Sequence, residues 1–146
     1  MKILFATGGT GGHINPALAV ASRIKETYGD NAEILFVGTP DHMEARLVPN
    51  AGFDFKTIRI SGFKRSFTPV SIAKNIRTLI WPLTSSNAAK KIIAEFEPDV
   101  VVGFGGYVSG PVLRKAHKMG IPIAVHEQNA FPGVTNKALA KYAEVV

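Results

Sequence analysis

Four glycines fall within six residues at Gly8-Gly9-Thr10-Gly11-Gly12-His13. Without Cβ atoms, such a loop lets backbone N–H groups approach an anion, and a helix opening behind it adds a favourable dipole. A phosphate or diphosphate suits that cradle. The plainer reading is a tight strand-to-helix turn. No Gly-Lys-Ser/Thr closes the loop as in a P-loop, and Ile14 stands where the dinucleotide fingerprint has its third glycine. The second expected strand ends in Val37-Gly38-Thr39-Pro40, with no acidic residue to hold a ribose, so kinase and NAD chemistry both fit poorly.

A second loop, Gly103-Phe104-Gly105-Gly106-Tyr107, follows another apolar run. Alone it reads equally well as packing or as binding. The stretches Gly11 to Leu18 and Gly105 to Leu113 echo one another, each following a strand and opening a helix. His13 adjoins the first loop, where an imidazole can accept a proton near neutral pH or bind a phosphate when charged. The helix start disfavours the charged form, although a histidine there also serves as a cap or a solvated residue. His126-Glu127-Gln128-Asn129 supplies a carboxylate, two amides and a second imidazole. It reads as site chemistry or as loop hydrogen bonding, with His126 the inward member because strand alternation turns it away from Glu127. His42, His117 and the other two histidines share no metal-ligand spacing, so neither a metal nor a cofactor is expected.

These residues need a sheet to position them. Lys2–Ala6, Ala32–Val37, Phe53–Ile58, Asp99–Val102 and Ile121–His126 read as strands, mostly apolar throughout, as expected of parallel strands covered on both faces. The stretches between them carry helical period, which gives an α/β doubly wound parallel sheet. In that architecture the first and fourth strands flank the switch point where ligands bind, so both glycine loops should face one crevice. The first helix is expected from Asn15-Pro16 to Tyr28, a second from Asp41 to Asn50, and others over Val70–Ile80, Ser86–Glu95 and Asn136–Tyr142. Trp81-Pro82 breaks the third from the fourth. Ser109 is expected to cap a helix that runs to Met119. Ala143 to Val146 looks like a strand just starting, as though the chain were cut there.

The chain has 146 residues, 46% of them hydrophobic, with no cysteine and a net charge of +6. Its length suits one domain that buries about two-thirds of its unfolded surface, without disulfides, in a reducing compartment. No signal-peptide core or membrane-spanning stretch is present. The positive charge favours anionic partners. Ile72, Ile76, Leu79, Ile80 and Leu83 share a helical face, with Lys64, Arg65, Lys74 and Arg77 beside it and Trp81 at its end. Such a stripe can rest on an anionic membrane, whereas its spacing alone fits a helix covering the sheet better. Nucleic acid fits poorly, because the basic residues neither line a recognition helix nor interleave with aromatics on a strand.

The two glycine loops, with Gly105-Gly106-Tyr107-Val108-Ser109-Gly110-Pro111, and His126-Glu127-Gln128-Asn129, in this order and spacing, resemble the N-terminal domain of the MurG family. These are the UDP-N-acetylglucosamine:lipid I N-acetylglucosaminyltransferases of bacterial peptidoglycan synthesis. The resemblance spans essentially the whole chain, including Asp41-His42-Met43-Glu44-Ala45, Arg59-Ile60-Ser61-Gly62 and Thr135-Asn136-Lys137. It implies a Rossmann-like fold, the N-terminal half of a GT-B glycosyltransferase. Residues 1–146 would be the acceptor-binding domain, and the donor-binding domain is absent from this chain. The implied reaction moves GlcNAc from UDP-GlcNAc to the C4 hydroxyl of MurNAc in lipid I, with inversion, at the inner face of the bacterial cell membrane.

By the same resemblance, Thr10, Gly11, Gly12 and Asn129 match donor-contacting positions, and the glycine loops, with Gly105, Gly106, Tyr107 and Ser109, match the acceptor diphosphate site. His13 matches the family's candidate base or acceptor ligand; for the whole enzyme the expected base is His13, with Glu127 as the alternative. The patch of Ile72, Ile76, Leu79, Ile80, Trp81, Lys64, Arg65 and Lys74 matches a membrane-contact surface, to which Lys137 could add charge. The implied partners are UDP-GlcNAc, an undecaprenyl-diphosphate-linked MurNAc-pentapeptide and an anionic membrane surface. The isolated domain is expected to have little or no transferase activity. The alternative is a non-catalytic acceptor-binding and membrane-binding subunit that recruits a separate donor domain.

Overall fold

The computed structural model describes residues 1–60 and 83–146. The expected helix over Val70–Ile80 and the proposed membrane residues Lys64, Arg65, Ile72, Lys74, Ile76, Leu79, Ile80 and Trp81 lie outside the described residues. Five strands form one parallel sheet: β1 (Lys2–Ala6), β2 (Glu33–Gly38), β3 (Asp54–Thr57), β4 (Val100–Gly103) and β5 (Ile123–Val125). Their order is β3-β2-β1-β4-β5, so the chain winds outward from β1 to one edge and returns beside β1 to build the other. The switch point therefore lies between β1 and β4, as expected.

Helices cover both faces: α1 (Gly11–Tyr28), α2 (Glu44–Asn50), α3 (Leu83–Phe96), α4 (Gly106–Lys118) and α5 (Val134–Ala140). Strand alternation sorts the core. Ile3, Phe5, Ile34 and Phe36 pack with Ala17 and Ala21 of α1 and Val48 of α2. Leu4, Ala6, Leu35, Val37 and Val101 face the other way, onto Ala89 and Ile93 of α3 and Val108 and Val112 of α4. The Phe5 ring is stacked between Phe36 and Phe104, with centroids 5.0 and 5.4 Å away, contacts worth about 0.5–1.5 kcal/mol each beyond the area they bury.

Two helix starts differ from expectation for a shared reason. α1 begins at Gly11 rather than Asn15, and α4 begins at Gly106 rather than beyond a Ser109 cap. Pro16 and Pro111 each stand at the sixth helical position instead of the first. A proline there cannot donate to the carbonyl four residues back, and helix formation from the glycines outweighs that single lost bond because the following residues are anchored in the core. α2 starts at Glu44, three residues after the expected Asp41. Near the C-terminus, Val125 N–H donates to Val145 O at 2.9 Å, and an isolated parallel bridge joins Ala124 to Val145, in line with the strand expected to start there.

Candidate functional site

All five strands point the same way, so the loops that follow β1, β2, β4 and β5 share one edge of the sheet. The register pairs Ala6 with Gly103, which sets the two glycine loops side by side. Phe104 N–H donates to Ala6 O at 3.0 Å, continuing the pairing into the loop. Gly105 and Gly106 both hold positive φ, +89° and +78°. A Cβ on Gly106 would collide with the carbonyl oxygen of Gly8, and one on Gly105 would sit 2.8 Å from Nδ1 of His13. The two turns are thus in direct contact, and only glycine permits their approach.

Ser109 locks this junction from beneath. Fully buried, its hydroxyl lies 2.8 Å from Ala6 O and 2.7 Å from Gly105 O, so its single proton is shared between the end of β1 and its own loop. It does not cap α4 and has no solvent exposure, because its position in the helix's first turn points it into the sheet.

A cleft of about 240 Å³ opens beside the junction, lined by His13, Gly105, Tyr107, Glu127, Asn129 and Asn136, among others. Glu127 ties its far wall together. Oε1 accepts from the backbone and side-chain amides of Asn129 at 3.0 and 2.8 Å, and Oε2 accepts from Gly133 N–H and Asn136 Nδ2, both at 3.0 Å. Partial burial alone would raise its pKa. The donations from the Gly133 and Asn129 backbones and the Asn129 and Asn136 side chains outweigh that and lower it from 4.5 to about 2. A carboxylate with four donors and so low a pKa is a poor proton acceptor near neutral pH. Its geometry is that of a clamp on the loop from 127 to 136.

His13 projects from the first turn of α1. Its Nδ1 lies 2.7 Å from the side-chain amide of Gln128, which leaves Nε2 as the nitrogen without a protein partner among the described residues. His126 packs its ring on Phe104, 4.9 Å between centroids, while Glu127 lines the cleft, as alternation requires. Asn136 donates from Nδ2 to His126 O at 3.0 Å as well as to Glu127, so one side chain fixes two successive residues of the wall.

The first loop is occupied from the other side. Glu44, fully buried at the start of α2, accepts from Gly9 N–H at 3.2 Å, from Thr39 N–H at 3.1 Å and from the Thr39 hydroxyl at 2.8 Å. The acidic residue that the end of β2 lacks in sequence is supplied by α2 in space. It faces its own protein and not a ribose. Thr39 Oγ1 also lies 3.0 Å from His42 Nδ1 and 3.4 Å from the Tyr107 hydroxyl, linking the loops after β1, β2 and β4. An anion at Gly8-Gly9 would meet this carboxylate. The unclaimed N–H groups are those of Gly11 and Gly12, which have no carbonyl to bond within the first helical turn, and Thr10 makes no side-chain cap there.

The structure therefore brings His13, Gly105, Gly106, Tyr107, Glu127 and Asn129 to one cleft, sets Thr10, Gly11 and Gly12 on the turn leading to it, and turns Ser109 inward. Sequence reasoning assigned no role to Glu44, Thr39 or Asn136, and gave Gln128 only as one of the two amides of the 126–129 cluster. Glu44 and Val48 are four apart, and Asn136 and Leu139 three apart. A polar residue in helical phase with a buried apolar one was the available signal.

The glycosyltransferase family 28 N-terminal domain model matches residues 3–146. A protein of Thermoanaerobacter sp. (strain X514), named UDP-N-acetylglucosamine--N-acetylmuramyl-(pentapeptide) pyrophosphoryl-undecaprenol N-acetylglucosamine transferase, is 51% identical over 146 residues, covering 100% of this chain and 39% of its own length. A protein of the same name from Exiguobacterium sp. (strain ATCC BAA-1283 / AT1b) is 49% identical over the same span and share. The crystal structure of Acinetobacter baumannii MurG matches with a TM-score of 0.77 at 34% identity, covering 99% of this chain and 40% of that one. The chain spans about two-fifths of the length of the relatives it matches.

Proposed function

The chain belongs to the glycosyltransferase family 28 N-terminal domain family, and from that membership we propose that it is the acceptor-binding part of an inverting N-acetylglucosaminyltransferase. The donor is UDP-GlcNAc, and the acceptor is an undecaprenyl-diphosphate-linked MurNAc-pentapeptide, the pair named for its relatives. The observation that carries this reading is the contact between the glycine turns after β1 and β4, beside a cleft that holds an imidazole.

The chemistry follows from the parts. His13 Nε2 takes the proton from the C4 hydroxyl of MurNAc as that oxygen attacks the anomeric carbon. The bond to UDP breaks on the opposite face, and UDP leaves with the bonding pair, so configuration inverts. The Gly11 and Gly12 amides and the α1 dipole hold phosphate charge. Glu127 keeps the wall of the cleft in shape and takes no proton. Asn129, whose side chain donates to Glu127, binds a sugar hydroxyl in this reading.

An open cleft at a sheet edge does not exclude water or hold a donor in line, so transfer requires a second domain that closes over it. Among the described residues no helix is long and apolar enough to cross a membrane. With a net charge of +6, the chain acts at the surface of an anionic bilayer on the cytoplasmic side, where a lipid-linked acceptor is presented.

Titrating the chain with a short-chain lipid I analogue and with UDP-GlcNAc, then assaying transfer with and without the C-terminal half of a relative, tests the reading. Acceptor binding by the chain alone, and transfer only in the presence of both halves, is the expected result. Failure to bind the acceptor, or robust turnover by the chain alone, overturns it.

A further inference from the structure

The contact between His13 and Gln128 carries more than orientation. As placed, the Gln128 Nε2 amide points at His13 Nδ1 across 2.7 Å. An amide nitrogen only donates, so Nδ1 accepts and the ring proton sits on Nε2. Nε2 then offers the cleft an N–H donor and has no lone pair for a proton. In the same arrangement Gln128 Oε1 is buried without a hydrogen-bond partner. A primary amide turned by half a revolution keeps its shape while exchanging oxygen for nitrogen. Turned, Oε1 accepts from Nδ1–H, the amide NH2 takes the place now held by the unpartnered oxygen, and His13 Nε2 becomes the free acceptor.

We propose that Gln128 is a positioning residue that selects the His13 tautomer, its Oε1 accepting from Nδ1–H in the working state so that Nε2 is the base. The catalytic consequence rests on the transfer reading above; the tautomer does not. Proton uptake makes the same choice. An imidazolium has N–H on both nitrogens, so the turned amide keeps its bond through the reaction, whereas the unturned one would set two donors against each other. The titratable groups that line the cleft with His13 are Tyr107 of α4 and Glu127 of the β5–α5 loop. Glu127 is already engaged by four donors and does not compete for Nδ1.

Long-range ¹H–¹⁵N spectra of the ¹⁵N-labelled chain, with the His13 signals identified by their loss in His13→Asn, read the tautomer directly. Wild type should show Nδ1–H, Gln128→Ala should revert to the Nε2–H form that free imidazole favours, and Gln128→Glu should keep Nδ1–H. With the C-terminal half added, Gln128→Ala should lower kcat by about 10²-fold with KM within about twofold, a cost typical of disabling a positioned base. Gln128→Glu should retain activity and move the acid limb of the kcat–pH profile upward, since a carboxylate partner raises the imidazole pKa. An Nε2–H tautomer in wild type, or a tautomer unchanged in Gln128→Ala, overturns the proposal even if transfer occurs. If the tautomers behave as stated and no transfer occurs, the transferase reading fails and the role of Gln128 stands.

Discussion

The backbone amide of Gly9 donates to the buried carboxylate of Glu44 at 3.2 Å, so the first glycine loop binds an anion that belongs to the protein. That bond joins the turn after β1 to the helix after β2. Thr39 supplies the carboxylate's other two donors, and Glu44 is the hub of the loops on that side of the switch point. Replacing Glu44 with Ala strands three donors, two of them from the buried Thr39. We expect a loss of about 2–3 kcal/mol in urea unfolding, with Glu44→Gln costing less because one oxygen is retained. A change below about 0.5 kcal/mol for the alanine variant would deny Glu44 this role.

Glu127 predicts an acid-sensitive wall. Its pKa is lowered in the fold to about 2 from 4.5, so the folded state holds the proton more weakly than the unfolded chain does. The stabilisation is complete above about pH 4.5 and is lost as pH falls toward 2. Thermal melts between pH 6 and pH 2.5 should show a fall in Tm that is shallower in Glu127→Gln, whose amide does not titrate. Parallel curves for the two proteins would contradict the hydrogen-bond assignment.

Gly106 should tolerate no side chain. Alanine there combines a Cβ penalty at φ +78°, about 1–2 kcal/mol, with a collision against Gly8 O. Gly133 is the matched control. Its φ is −63°, nothing lies within 4 Å of its Cβ position, and alanine keeps the N–H that Glu127 uses. Gly106→Ala should lower both Tm and affinity for a diphosphate-bearing acceptor, while Gly133→Ala leaves both nearly unchanged. Equal melting temperatures would show that the turns can separate without cost.

His13 and Glu127 can be told apart as bases. His13→Ala, assayed with the C-terminal half present, should reduce kcat by about 10²–10⁴-fold. Glu127→Gln, which keeps acceptor capacity on one oxygen, should act mainly through KM by loosening the Asn129 wall. A kcat loss confined to the Glu127 variant would reverse the assignment.

Much of this was legible in sequence because it depends on local pattern. Apolar runs without alternation specify strands buried on both faces, and the helical stretches between them force parallel connections. With β1 and β4 adjacent, both glycine loops must then lie at one edge. Helix starts were less legible. Proline at the first helical position is the local preference, yet Pro16 and Pro111 sit deeper because residues packed into the core decide where each helix lies. Ser109 shows the same conflict, having a capping residue's chemistry and a buried residue's location.

The amino-acid order by itself determined the alternation of apolar strands and helices and the set of residues available to the site, since hydrophobic period and loop chemistry are properties of short segments. Only the tertiary structure decided what each polar group bonds. Gly9 to Glu44 spans 35 positions, His13 to Gln128 spans 115, and Ser109 to Ala6 spans 103. A hydrogen bond acts over about 3 Å and depends on angle, so its partner is fixed by how helices settle on the sheet and not by spacing along the chain. Thus the sequence could nominate His13 and Glu127 as bases, while the four donors around Glu127 and the single amide on His13 are what distinguish them.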